Sequence, residues 1–398
     1  MQVTFTFNTD ALQRSRHIQI GLGKKAPYNI PPDPIYNPVH SFHNRYATPA
    51  PGYPFSLVTL LHATAVKKLG YPGSISRFIK RSLLITGGLY LALNPRHPDL
   101  EIRKIMGDFA SGFSHDFGVG LTLLAISDMF NINFDNLNPI RVQGTKALDY
   151  ATLLPNNQGL LQIEAKGVTS NESRNNARRS IYAKKQSSQN TVVLESGKTL
   201  THTQVIKLGI IVQAACQSKT PSVNSKKKGQ TQIRRGLIEI IDPTPNENLS
   251  NLPNEYFTAS KYYHYAGIAL FSGLSQIAEE FVLRAQSLIK GIHRDFELQN
   301  FRFDERMLWQ RQNRTLVGVR WQPSDIPLGA NDVWFYQAAD QDILQQILRY
   351  GEFPETHAYH PEISSIDQGN LAESMLPDGS YFGIGTYQSK GLTFESPF

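Results

Sequence analysis

At 398 residues the chain exceeds what one compact core usually organises, so two domains, or one domain with large additions, are expected. A hydrophobic content of 40% with 10% aromatics excludes a disordered chain, and the single cysteine, Cys216, excludes an internal disulfide or a cysteine-based zinc site and fits a reducing compartment. The net charge of +7 and a pI near 9.2 point to a polyanionic partner, nucleic acid before an acidic membrane surface.

The start, "MQVTFTFNTD", alternates like a strand and lacks the basic-then-apolar order of a signal peptide. The following "APYNIPPDPIYNPVHSFHNRYATPAPGYP" is so dense in proline that neither helix nor central strand is expected, only an ordered arm over the surface up to about residue 55. Helices are expected from about Pro54 to Leu69, from about Ile75 to Leu93, and again from near Leu100. The apolar runs Leu83 to Leu93 and Tyr265 to Leu274 are too short to span a bilayer, so a cytoplasmic protein without membrane contact is expected. "FSHDFGVGLTLLAISDMFNI" reads as a helix with Ser114 or Asp116 near its N-cap.

The pattern changes after Asn131. "IRVQGTKALDYATLL" reads as a strand, "PNNQG" as a turn and "LLQIEAKGV" as a second strand. "SNESRNNARRSIYAKKQSS" is a polar, basic helix with Ser170 and Asn171 as candidate caps. Two buried strands follow, "QVIKLGIIVQAAC" and "RGLIEIID", around a basic loop that carries Lys226, Lys227 and Lys228. That loop reads as a solvated segment, with a phosphate clamp as the alternative. One long helix from about Tyr262 to Lys290, a strand at "RTLVGVRWQP", a helix at "AADQDILQQILRY" and a glycine-rich tail complete the chain.

Asp149, Glu164 and Lys166 carry the chemistry. Residues two apart on a strand share a face, so Glu164 and Lys166 point one way and Ala165 the other. A hairpin closed by "PNNQG" brings Asp149 toward Glu164. Two close carboxylates repel, and a hard divalent cation relieves the repulsion, while a neighbouring lysine can position a water and offset negative charge. The competing reading is a hairpin with an edge ion pair that contributes little.

"ALDYATLLPNNQGLLQIEAKG", in the order helix, strand, strand with Asp, strand with Glu-x-Lys, helix, strand, resembles the PD-(D/E)XK nuclease superfamily, the fold of many restriction endonucleases, Holliday junction resolvases and repair nucleases. The resemblance covers about Ser114 to Cys216; Leu148 stands where the motif has proline, a variation that the superfamily tolerates widely. It implies a restriction endonuclease-like α/β core, a mixed sheet flanked by helices, with a helical N-terminal and a mixed α+β C-terminal extension. The corresponding division is 1–110 for the arm and helices, 111–245 for the core and 246–398 for the C-terminal region. It implies that Asp149, Glu164 and the backbone carbonyl of Ala165 hold Mg²⁺ or Mn²⁺, that Lys166 orients the attacking water, and that Asp116 is the nearest additional acid. The expected activity is metal-dependent endonucleolytic hydrolysis of nucleic acid, DNA rather than RNA, in a setting such as bacterial restriction or anti-phage defence. A homodimer or higher oligomer and an activating partner are further expectations. Arg174, Arg178, Arg179, Lys184 and Lys185 on the basic helix are the candidate phosphate contacts. A non-catalytic nucleic-acid-binding or assembly protein on the same fold is the alternative, and a scaffold using the arm and tail is a third.

Overall fold

A computed structural model describes residues 12–14, 16–22, 37–46, 52–68, 92–93, 100–102, 110–140, 148–154, 160–187, 191–193, 199–201, 205–217, 233–234, 236–244, 254–292, 303–311, 313–321, 333–355, 358–359 and 371–386. The strand expected at residues 1–10, residues 75–91 of the helix expected from Ile75 to Leu93, the turn "PNNQG" and the triple-lysine loop lie outside them, and Leu93 forms a β-bridge with Ile102.

The fold is mixed α/β, built on two sheets. The first has seven strands: β1 (Arg16–Leu22), β2 (Tyr53–Phe55), β3 (Asn138–Pro139), β4 (Tyr150–Leu153), β5 (Leu160–Val168), β8 (Val205–Gln213) and β11 (Leu237–Thr244). Their order is β2-β1-β11-β8-β5-β4-β3. β3, β4 and β5 form an antiparallel meander, β8 is parallel to β5, and β11 is antiparallel to β8. Two short antiparallel ribbons lie outside this sheet: β6 (Thr191–Val193) with β7 (Thr199–Thr201), and β9 (Cys216–Gln217) with β10 (Ile233–Arg234). The second sheet is antiparallel throughout, in the order β12 (Leu308–Arg311), β13 (Arg314–Trp321), β14 (Val333–Asp340), β16 (Ser380–Thr386), β15 (Leu371–Met375).

Among the described residues there are seven α-helices: α1 (Asn37–Tyr46), α2 (Leu57–Lys68), α3 (Ala110–Phe130), α4 (Asn171–Ser187), α5 (Asn254–Phe271), α6 (Ser275–Lys290) and α7 (Gln341–Tyr350). α3 lies across β5 and β8, α2 lies on α3, and α2 also touches β15, β16 and α5. A helix apolar on all sides belongs in a core, and every residue of α3 from Phe117 to Phe130 is buried. "GVG" within it lets the backbone approach a neighbour on two opposite faces. A Cβ on Gly118 would meet the backbone of Gly167 on β5, and one on Gly120 would meet Thr64 on α2. Gly167 itself lies against the carbonyl oxygen of Ser114.

Several expectations are corrected. The proline-rich arm contains a helix, because α1 falls in its proline-sparse part and packs Phe42 and Tyr46 with Tyr53 in a three-ring cluster. No helix starts at Leu100: its carbonyl accepts from Ala215 N (2.6 Å), and Glu101 and Ile102 form β-bridges. α3 starts at Ala110, so Ser114 and Asp116 sit inside it and not at its N-cap. The expected helix from Tyr262 to Lys290 is two, broken where Gly273 takes φ +76°, a left-handed conformation costly for other residues, and folds back as a hairpin of α5 and α6. "AAD" before α7 is the end of β14, with Asp340 as N-cap accepting from Asp342 N and Ile343 N. The start of the glycine-rich tail is β16, hydrogen-bonded on both sides.

A buried polar cluster joins α2 and α5 to the second sheet. Lys67 donates to the carbonyls of Phe134 and Leu137 and contacts His264 Nδ1 (3.1 Å), and His264 Nε2 pairs with Asp378 Oδ2 (2.8 Å). Asp378 also accepts from Ser380 N and Oγ. Burial pushes Lys67 down to about 7, against the pull of Asp378 and Asp135. His62 Nδ1 bonds Ser374 Oγ (3.1 Å) and stacks on Phe271, and burial pushes its pKa down to about 3.

Two outcomes are expected. Gly167→Ala forces a methyl group into the Ser114 carbonyl and lowers the unfolding free energy by about 2–4 kcal/mol in chemical denaturation. For His62, the unfolded chain gains a proton near pH 6.5 whereas the folded chain holds none until about pH 3. Its contribution is therefore complete above pH 6.5 and falls below it by about 1.4 kcal/mol per pH unit. Urea midpoints measured from pH 7 to 5 should show this slope, reduced by one proton in His62→Gln.

Candidate functional site

β4 and β5 pair from Tyr150 opposite Ile163 to Leu153 opposite Leu160, so Asp149 falls opposite Glu164, one residue past the last pair. Asp149 N donates to the Ile163 carbonyl (2.9 Å), and its Oδ2 accepts from Ala165 N (3.0 Å). The side chain of Asp149 is thereby fixed at the end of β4 beside Glu164. Along β5, Leu161, Ile163 and Ala165 join the main core with α3, while Val168 joins a smaller core with Ala177 and Ile181 of α4. Glu164 and Lys166 share the face of Val168, which α4 covers.

Local chemistry places α4. Ser170 Oγ accepts from Ser173 N (3.0 Å), the expected cap, and the Ser170 carbonyl accepts from Arg174 N. Gly209, opposite Glu164 on β8, has no side chain, and a Cβ there would meet Ile181. The helix therefore sits low on the sheet over Glu164. Ala177, Ile181 and Lys184 follow at helical spacing, so Lys184 lies on the inward stripe.

Glu164 has no exposed side-chain surface. Lys184 Nζ contacts both of its carboxylate oxygens, at 2.7 and 2.9 Å, and lies 3.8 Å from Asp149 Oδ1. Lys166 Nζ is 2.7 Å from Glu164 Oε1. Two carboxylates and two ammonium groups thus meet in one neutral cluster whose other three members are about a quarter to a third exposed. Burial raises the pKa of Glu164 and the charge of Asp149 raises it further, while the two lysines pull it down.

The remaining basic residues of α4 divide. Arg178 grips Glu239 on β11 with two bonds, Nε to Oε1 (2.7 Å) and a terminal nitrogen to Oε2 (2.8 Å), and Arg174 Nε lies 3.8 Å from Oε2. The Glu239 side chain is 3% exposed. Lys185 is buried and Arg179 is exposed. Arg174 and Arg178 are therefore engaged in holding the helix to the sheet, Lys184 joins the carboxylates, and Arg179 alone of the five is an exposed residue. Sequence reasoning missed Glu239, although a lone acid within apolar "LIEII" was its signal.

Asp116 is not brought to the cluster. Ser114 and Gly118, one turn apart, face β5, so Asp116, half a turn from both, lies on another side of α3. Among the described residues there is no group of three or more His, Cys, Asp or Glu side chains able to hold a metal, and no helix long and apolar enough to cross a membrane. The donor set nevertheless fits a hard cation. Mg²⁺ commonly takes one or two carboxylates and completes its shell with water. Asp149 and Glu164 already converge on one positive charge, the Lys184 ammonium.

A search of protein families, of curated proteins and of solved structures finds no match to this chain.

The arginine clamp on Glu239 and the exposed Arg179 make different demands on stability. Glu239→Ala leaves Arg174 and Arg178 without their carboxylate and is expected to lower the unfolding free energy by about 2–4 kcal/mol. Arg179→Ala should leave the denaturation midpoint in place. Urea titrations of both variants check this.

Proposed function

We propose that the protein is a metal-dependent nuclease that hydrolyses phosphodiester bonds, DNA in preference to RNA. The observation that carries this reading is the convergence of Asp149 and Glu164 on one cation, with Lys166 at 2.7 Å from Glu164. The succession of α3, the meander β3-β4-β5, α4 and a parallel β8 supports it, because it is the order of elements implied by the resemblance to PD-(D/E)XK nucleases. The excess of positive charge supports a polyanionic substrate.

Asp149 and Glu164 would hold Mg²⁺ or Mn²⁺, which would supply a Lewis acid to offset the charge that builds on the phosphate oxygens. Lys166, a quarter exposed beside Glu164, would orient the attacking water and offset negative charge that builds on the phosphate. The buried setting of Glu164 excludes bulk water from one side, which strengthens every charge interaction there. Arg179 lies exposed on the covering helix, where it can meet a backbone phosphate.

A second reading has its own observation. Lys166, Lys184, Arg174 and Arg178 are all paired with carboxylates, as expected of a helix-to-sheet fastening in a protein that binds nucleic acid without cutting it. Cleavage of plasmid DNA and of RNA with Mg²⁺, with Mn²⁺ and with EDTA separates the two. The nuclease reading expects cutting that EDTA stops and that Asp149→Ala, Glu164→Ala and Lys166→Ala each reduce by roughly 10²–10⁴-fold. Salt-sensitive DNA binding without cutting in any metal, unchanged in Lys166→Ala, would sink it in favour of the second.

A further inference from the structure

Lys184 is the one feature of the cluster that metal-assisted hydrolysis does not require. Lys166 lies 2.7 Å from Glu164 Oε1, while Lys184 spans both oxygens of Glu164 and reaches Asp149 as well. It therefore occupies the seat where the two carboxylates jointly demand positive charge. Its anchorage differs too: Lys184 stands in the last turn of α4, on a flexible four-carbon stem that is 29% exposed. The Glu164 carboxylate cannot move to match it, since it is sealed beneath the helix and borne by a strand paired on both sides.

We propose that Lys184 is a built-in counter-cation that occupies the metal seat in the metal-free protein and must swing out before a divalent ion can bind. This rests on the metal-binding reading of Asp149 and Glu164. The exchange is of one cation for another: the ammonium keeps its proton and leaves both carboxylates ionised. Without Lys184 the two carboxylates would share Lys166 alone beside a buried Glu164, which is unfavourable, so Lys184 keeps the site charge-balanced until a metal arrives. The same contact sets a threshold concentration of divalent ion below which the site stays closed. Once released, the ammonium can reach solvent at the mouth of the cluster, where a substrate phosphate would hold it away from Glu164.

The experiment is calorimetric titration of Mn²⁺ into the whole protein, wild type against Lys184→Met, Lys184→Gln and Lys184→Arg, with Asp149→Asn as the control for the site. Folding of each variant is checked by circular dichroism and thermal melting. Removal of the competing ammonium should tighten Mn²⁺ on the order of tenfold in the Met and Gln variants, as expected for loss of a partly exposed ion pair. Arginine, still a cation, should bind Mn²⁺ no tighter than wild type. The melting temperature in EDTA should fall for Met and Gln, and saturating Mn²⁺ should restore it. Equal or weaker Mn²⁺ affinity in folded Met and Gln variants, with the affinity still lost in Asp149→Asn, overturns the role of Lys184 and leaves the metal site standing. If wild type and variants alike show no Asp149-dependent Mn²⁺ binding, the metal reading itself fails, and the counter-cation role with it.

Discussion

The site depends on the burial of one carboxylate. Glu164 lies on β5, an inner strand of the seven-stranded sheet, with no exposed side-chain surface, and an isolated ionised carboxylate in that position costs several kcal/mol. Everything around it answers that cost. Lys166 comes from its own strand, Lys184 from the covering helix, and Asp149 is turned toward Ala165 N so that the second carboxylate lies at the rim, 30% exposed. The same geometry recurs on β11, where Glu239 is held by Arg174 and Arg178 of the same helix. α4 is thus fastened at two points, one by lysines and one by arginines. The difference matters physically: the arginine fork to Glu239 is bidentate and directional, a fixed joint, whereas an ammonium on a flexible stem can leave and return.

The glycines explain why the two helices on either face can come so close. Gly118 against Gly167 brings α3 down onto β5 from one side, and Gly209 lets Ile181 of α4 down onto β8 from the other. The strand that bears Glu164 and Lys166 is therefore held between α3, packed backbone to backbone on β5, and α4, seated over β8 beside it. Rigidity of that kind suits a site in which charges must be held at fixed distances without water to screen them.

The strand and helix periods around the site were legible in the sequence, and for physical reasons. β5, β8 and β11 each bury one or both faces against a neighbour, so their apolar runs are strong, while α4 was legible from its Ser170 cap and polar, basic composition. Asp149 was legible because a hairpin closed near "PNNQG" brings the start of one strand toward the end of the next, where Glu164 sits. Three things were not. Tertiary register decides that Arg174 and Arg178 meet Glu239, a residue more than sixty positions away, and no local pattern encodes it. The break between α5 and α6 depends on a single left-handed glycine inside an otherwise helical period. The helix at Asn37–Tyr46 was hidden by the prolines before and after it and by Pro38 in its first turn, where a missing N–H breaks no helical bond. Lys184 is intermediate: its spacing from Ala177 and Ile181 marks the inward stripe, but a lysine there reads as solvated until something buried is found to receive it.

The two sheets differ in what fastens them to the rest. The first carries, besides its apolar packing on α3, an ion-pair cluster at the edge of water, where lysines can exchange partners. The second is joined through a sealed cluster in which Lys67, His264 and Asp378 contact one another in series, all three deeply buried. Burial lowers the pKa of both Lys67 and His264, and bonds from His264 and Ser380 hold Asp378 below the usual carboxylate range. A charge there has no solvent to turn to, so its partners cannot exchange without local unfolding. Chemistry that requires a cation to be replaced by another therefore belongs at the first cluster and not at the second. Both hold acids and bases within hydrogen-bond reach of one another, but only the Asp149 and Glu164 side opens to the medium from which an ion or a phosphate could come.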